Sequence, residues 1–267
     1  MNLIKNRVQS NKLAMPKCHH YITDLENFLT KNQSILVICG LEGLPGTGKT
    51  TMCLMLPQKN ISYYAGSDVS SSYYPKLKLD PSPSYCLNLK SLWRNSCFFL
   101  DREIKRTNDL INRRISWAVL ERTWISQVVF NFAITTALQL PKDVLIYSLD
   151  RIEREYKDGK LYFPSWLLLF KISPEESFNQ VVARDGRYFD DNFLNIFSHE
   201  QRNRILQSRV KAYELLNKTE GLPIVSISFR SPMELKIDAA TTPPYSAGRL
   251  DHNLFFETFR ELILNSA

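Results

Sequence analysis

The 267-residue chain is poor in the residues that stabilise small secreted domains or hold metals. Its five cysteines (Cys18, Cys39, Cys53, Cys86 and Cys97) are odd in number and lack paired ligand spacing, which argues against a disulfide framework and a zinc site. Four histidines (His19, His20, His199 and His252) form no nucleophile or ligand arrangement, so a Ser-His-Asp hydrolase has no support. No apolar run reaches the roughly 18 residues of a membrane span. The opening Met1-Asn2-Leu3-Ile4-Lys5-Asn6 lacks the apolar core of a signal peptide. A soluble, cytoplasmic protein is the expectation. The net charge of +7 invites a nucleic-acid reading, but the basic residues are spread along the chain and build no dedicated tail. A basic solvated surface, with some arginines meeting anionic substrates, is expected instead. Internal repeats are absent.

Glycine is scarce too, nine residues in all, yet three of them fall in the turn Gly43-Leu44-Pro45-Gly46-Thr47-Gly48-Lys49-Thr50. That turn follows the apolar run Ile35-Leu36-Val37-Ile38-Cys39, which reads as a strand. Glycines let the backbone wrap closely around an anion, and a helix starting near Lys49 adds its positive N-terminal dipole. The spacing predicts a phosphate-binding loop for a nucleoside triphosphate, with Gly43, Pro45, Gly46, Thr47, Gly48, Lys49, Thr50 and Thr51 around the phosphates. Lys49 is expected to reach the β- and γ-phosphates and Thr50 to give its hydroxyl to Mg²⁺. A bare strand-to-helix turn has no need of a lysine and a hydroxyl at those positions.

With 44% hydrophobic residues, the composition suits one large α/β domain. Residues 1–33, with the amphipathic stretch Tyr21–Leu29, read as a helical extension, and residues 34–267 as the catalytic domain. Ile61–Ala65 reads as a second strand, with Gly66-Ser67-Asp68 at its end and a proline- and serine-rich loop to Ser84 behind it. Apolar residues at Trp93, Cys97, Leu100, Ile104 and Ile111 follow the spacing of one helix face, which puts Asp101 and Arg102 on a helix. Trp117–Leu120 is the next strand, ending in Glu121-Arg122-Thr123, and Thr123 or Ser126 opens a helix around Val128–Ile134 apolar enough to be a core or dimer helix. Helices at 141–157, 174–183, 199–218 and 253–264 and strands Trp166–Ile172 and Ile224–Ser228 complete the pattern. Strands alternating with helices predict a three-layer α/β fold of the phosphate-loop class, a central parallel sheet with helices on both faces.

In this order, the phosphate loop, the helix carrying Asp101-Arg102, the strand ending Glu121-Arg122-Thr123 and the strand-proline-helix unit ending Arg184-Asp185-Gly186-Arg187 resemble the deoxynucleoside kinase and thymidylate kinase family. The resemblance spans about Ser34 to Ser228 and is one of pattern. It implies an ATP- and Mg²⁺-dependent kinase whose partners are a nucleoside triphosphate and a small-molecule acceptor. It further implies that Glu121 helps place Mg²⁺ and that Arg122 meets the transferring phosphate. Arg184 and Arg187 would belong to an arginine-bearing lid at about 184–198, the alternative being solvated cations at a helix end. Arg102, with Asp101 beside it, matches the arginine that projects toward the substrate, the alternative being a surface ion pair with Asp101 or Glu103. The family's general base finds only Asp68 in the corresponding region, where a turn aspartate is equally at home. Tyr63, Tyr64, Tyr73, Tyr74 and Trp93 are candidates to stack on a base or to fill a core. A kinase of another hydroxylated metabolite or antibiotic, and a nucleotide-dependent switch or nucleic-acid-binding NTPase, remain as competing classes.

Overall fold

The computed structural model describes residues 37–49, 63–66, 88–113, 117–164, 166–185, 197–219, 224–231, 234–240 and 252–266. The N-terminal extension, Thr50, Thr51, Asp68, Arg187 and most of the expected lid lie outside them, as do Tyr73 and Tyr74.

Six strands form one sheet: β1 (Val37–Gly43), β2 (Tyr63–Gly66), β3 (Trp117–Glu121), β4 (Trp166–Lys171), β5 (Ile224–Ser231) and β6 (Glu234–Ala240), in the order β2-β3-β1-β4-β5-β6. The first five run parallel. Ile38 pairs with Ala118 and Gly40 with both Leu120 and Leu167, so these residues share one face; Cys39, Leu41, Val119, Leu168 and Phe170 line the other. Ile38, Leu120 and Leu167 on one face and Leu168 and Phe170 on the other are buried, with Cys39, Leu41, Ala118 and Val119 fully enclosed. A parallel sheet covered on both faces is the middle layer of a three-layer α/β fold.

The parallel sheet carries one antiparallel addition at its edge. β5 runs on to Ser231, and β6 returns antiparallel beside it with an irregular register. Glu234-Leu235-Lys236-Ile237-Asp238 alternates charged and apolar residues, the two-residue period of a strand, so a sequence signal for β6 existed.

The helices among the described residues are α1 (Leu89–Asn112), α2 (Trp124–Ala137), α3 (Asp143–Lys157), α4 (Pro174–Asp185), α5 (His199–Lys218) and α6 (His252–Asn265). None is long and apolar enough to cross a membrane. Asn88 and Ser91 close a capping box at the start of α1, and Ser198 and Gln201 do so for α5. The apolar spacing that predicted α1 marks its buried face only in part: Leu100 is enclosed, and Trp93 and Ile104 pack against the core. Ile111 is exposed, while Asn95, Ser96, Arg102, Glu103, Arg106 and Thr107 are buried. Such polar burial persists where each group is hydrogen-bonded. Asn131 on α2 donates to Ser96 at 2.6 Å and to Ser148 on α3 at 2.9 Å, tying three helices together.

α2 is a core helix. Eleven of its 14 residues are buried within a single chain, which removes the dimer-helix alternative and its argument for a homodimer. Trp124 at its start lies against Phe163, Phe255 and Phe256, so α6 closes the core behind the strand end that carries Glu121.

Candidate functional site

β1 extends to Gly43, and the chain then turns through Leu44–Gly48 before a helix begins at Lys49. Gly43, Gly46 and Gly48 have φ of 134°, 80° and 84°, a region that L side chains rarely adopt. At Gly43 a Cβ would also stand 2.6 Å from the carbonyl oxygen of Phe170 on β4, so this glycine permits the close approach of the two strands. Ser177, in the first turn of α4, donates to the carbonyl of Pro45 at 2.6 Å and fastens the loop to the helix that carries Arg184.

Lys49 is buried at 4% exposure. Its Nζ donates to the carbonyls of Gly43 and Leu44 at 3.1 and 2.6 Å and to Oγ1 of Thr47 at 2.9 Å, and the Thr47 hydroxyl donates onward to Leu44 at 2.9 Å. Burial, then the guanidinium of Arg122, pull the Lys49 pKa from 10.5 down to about 7. Glu121 and Glu42 act in the opposite sense.

The neighbouring strand end supplies the acidic-basic pair. Glu121 closes β3 with its side chain buried, and Arg122 follows with φ 61°, a left-handed conformation uncommon for a residue with a Cβ. Its amide donates to the carbonyl of Leu41 on β1 at 3.0 Å, and Thr123 then caps α2 through its side chain. Parallel pairing of β1 with β3 therefore brings the loop, Lys49, Glu121 and Arg122 to the same edge of the sheet, the C-terminal ends of two adjacent strands.

Glu42 is the residue that sequence reasoning missed. Only 1% exposed, it accepts from the amide and hydroxyl of Thr123, both at 2.8 Å, from the hydroxyl of Ser126, and from the Tyr213 hydroxyl on α5 at 3.2 Å. The burial of Tyr213 itself, and then the charge of Glu42, raise the pKa of that tyrosine. The signal available was an acid at the end of an otherwise apolar strand, one residue before the loop.

Arg102 is 4% exposed, with its guanidinium 3.7 Å from the centre of the Phe98 ring. It is not the surface cation of the alternative reading. Asp101 points elsewhere: it is exposed and pairs with Arg151 on α3, so the structure separates the two members of the expected substrate pair. Trp93 meets Tyr147 edge-on, with ring centres 6.0 Å apart. Arg184 falls in the last turn of α4. Arg209, on α5, is an additional cation whose charge lowers the proton affinity of Lys49.

No protein-family model and no curated protein matches the chain. Among solved structures it is similar to deoxyadenosine kinase from M. mycoides with the products dCMP and a flexible dCDP bound, at 14% identity over 86% of this chain and 98% of that one, with a TM-score of 0.49. A second structure of the same enzyme, with bound dATP, has the same identity and coverage and a TM-score of 0.47.

Proposed function

We propose that this chain is an ATP- and Mg²⁺-dependent phosphotransferase that carries the γ-phosphate of ATP to a nucleoside, a nucleotide or a nucleoside-like small molecule. The observation that carries the reading is the meeting of Lys49 with Glu121 and Arg122 at the ends of β1 and β3, close enough for both charges to act on the lysine. Phosphoryl transfer needs little covalent chemistry from the protein; it needs positioning and positive charge where the equatorial oxygens gain negative charge.

In this scheme the loop amides from Gly43 to Gly48, with Thr51 behind them, hold the phosphates. Lys49 exchanges its bonds to the Gly43 and Leu44 carbonyls for phosphate oxygens, gaining a full charge in place of two dipoles. Mg²⁺ bound with nucleotide takes one or two carboxylates, the rest of its ligands coming from phosphate and water. Glu121 and the Thr50 hydroxyl suit that donor set. Glu42, whose two oxygens already accept four hydrogen bonds, does not. The ion, when bound, neutralises charge on the β- and γ-phosphate oxygens. Arg122 meets the transferring phosphate, Arg184 and Arg187 close over it as a lid, Arg102 faces the acceptor, and Asp68 is the candidate base.

The test is ADP release from MgATP over a panel of nucleosides, nucleotides and sugar-like alcohols, run with the wild type and Lys49→Ala. Slow release that one class of acceptor accelerates, and that Lys49→Ala abolishes, is the expected result. Acceptor-independent hydrolysis would favour the nucleotide-switch class, and near-normal turnover by a folded Lys49→Ala protein would overturn the phosphate-loop assignment.

A further inference from the structure

Arg106, on α1, is the largest of the fully buried side chains among the described residues and lies outside the motif residues of the loop and strand ends. Its Nη2 donates to the carbonyl of Arg122 at 2.6 Å, and its Nη1 faces the carbonyl of Glu121 at 3.4 Å. The same Nη2 lies 2.7 and 2.6 Å from the two carboxylate oxygens of Glu103, one helical turn earlier. The guanidinium thus sits between a buried acid and two consecutive carbonyls.

Those two carbonyls belong to the residues whose side chains act in the proposed reaction. The turn they form is unusual, since Arg122 is one of two described residues other than glycine with positive φ. A residue with a Cβ leaves that conformation unless its surroundings over-determine it. Here the Arg122 amide is held by the Leu41 carbonyl on β1, and the Arg122 carbonyl by Arg106 on α1. Holding both ends of one residue fixes the direction in which its side chain leaves the backbone. A planar fork can address both carbonyls at once, which a lysine ammonium cannot do with the same geometry.

We infer that Arg106, with Glu103 as its counter-ion, is a positioning residue: it holds the Glu121-Arg122 turn in its left-handed form and so aims Glu121 and Arg122 at Mg²⁺ and phosphate. The inference rests on the proposed roles of Glu121 and Arg122. α1 also carries Arg102 one turn before Arg106, so the helix proposed to face the acceptor also braces the turn proposed to face the phosphate.

The experiment measures the affinity of a fluorescent ATP analogue, N-methylanthraniloyl-ATP, with and without Mg²⁺, alongside the rate of ADP release from MgATP. Four proteins are compared: wild type, Glu121→Gln, Arg106→Lys, and the double variant Arg106→Met with Glu103→Leu. Replacing both members removes the buried pair as a unit and strands neither partner of it, so the double variant is the one suited to fold. Its cooperative urea transition is recorded alongside.

The expected result is that the double variant keeps metal-free analogue affinity within about twofold, loses most of the Mg²⁺-dependent gain, and releases ADP at least about tenfold more slowly. Arg106→Lys should fall between it and the wild type. A merely structural role would lower the urea midpoint without touching the Mg²⁺-dependent gain, and that outcome overturns the inference. If Glu121→Gln itself leaves the Mg²⁺ gain intact, the underlying reading of Glu121 fails. If Glu121→Gln loses the gain while both Arg106 variants keep it, only the positioning role fails. Should the double variant not fold, Arg106→Lys decides alone, since wild-type Mg²⁺ gain and rate in that protein contradict the need for a fork.

Discussion

The carboxylate of Glu42 on β1 and the backbone amide of Thr123, just past the end of the adjacent β3, are joined at 2.8 Å, and the Thr123 hydroxyl reaches the same oxygen at the same distance. One buried acid at the end of β1 therefore fixes the start of α2, three residues after the last residue of the apolar β3 run. Gly40 makes this approach feasible, since a Cβ there would stand 2.7 Å from the Thr123 methyl. Glu42 thus couples the strand that carries the glycine-rich loop to the turn that carries Glu121 and Arg122.

Two substitutions separate the shape of that contact from its charge. Glu42→Ala strands the buried Thr123 amide and should cost about 1–3 kcal/mol, read as a lower urea midpoint at unchanged slope. Glu42→Gln retains an acceptor for that amide, and the Ser126 and Tyr213 hydroxyls can turn to accept from its NH₂, so its stability loss should be the smaller. Its lost charge should still lower the proton affinity of Lys49, because Glu42 is one of the groups that raise it. A Glu42→Gln protein less stable than Glu42→Ala would contradict the hydrogen-bonding account.

The depressed pKa of Lys49, about 7, sets a pH dependence whose sign can be worked out. Below about 7 the lysine is charged in both folded and unfolded chains, and the full cost of burying the ammonium is present. Between about 7 and the unfolded value of 10.5 the unfolded chain binds the extra proton, so this group's contribution to stability rises with pH. Nucleotide phosphate should reverse the depression by pairing with the charged form. At pH 8, ATP binding should therefore take up a proton, seen as a dependence of calorimetric enthalpy on buffer ionisation heat, and affinity should weaken as pH rises past about 7. Lys49→Met should abolish the uptake; a wild type with none would contradict a lysine that is depressed to about 7 and recharged against phosphate.

Glu121 and Asp101 provide the third comparison, since each is an acid close to an apolar run. Glu121 is buried beside Arg122, whereas Asp101 is exposed and paired with Arg151 on the outside of α1. Glu121→Gln should lower the Mg²⁺-dependent rate by about tenfold or more while leaving metal-free nucleotide binding nearly unchanged, because a hard cation prefers the charged oxygen. Asp101→Asn breaks a surface ion pair and should change stability by less than about 1 kcal/mol and the rate hardly at all. The opposite ranking in a Mg²⁺ titration at saturating ATP would mean that the metal-binding acid had been misassigned.

Local rules written into the chain specified the glycine-rich loop, most strand and helix positions, and the strand end at Glu121. Glycine at positive φ, apolar strands bounded by turns and hydroxyl caps are local physics, legible from neighbours in sequence. Thr123 as the α2 cap follows from the same rules.

What tertiary structure alone decided is the polar interior. The apolar spacing marks Ile104 and Ile111 as one face of α1 and carries no sign that Arg106 and Glu103 turn inward; the structure buries that charged pair and exposes Ile111. Glu42 is separated by 81 residues from Thr123 and by 171 from Tyr213. A buried charge is stable only when distant segments bring donors or acceptors to it, and hydropathy along the chain holds no information about those partners. The antiparallel β6 was readable from its alternation, but its place beside β5 depends on which sheet edge remained open once the parallel strands had paired. The chain alone determined the chemistry available at the ends of β1 and β3; the folded structure determined which buried groups hold that chemistry in place.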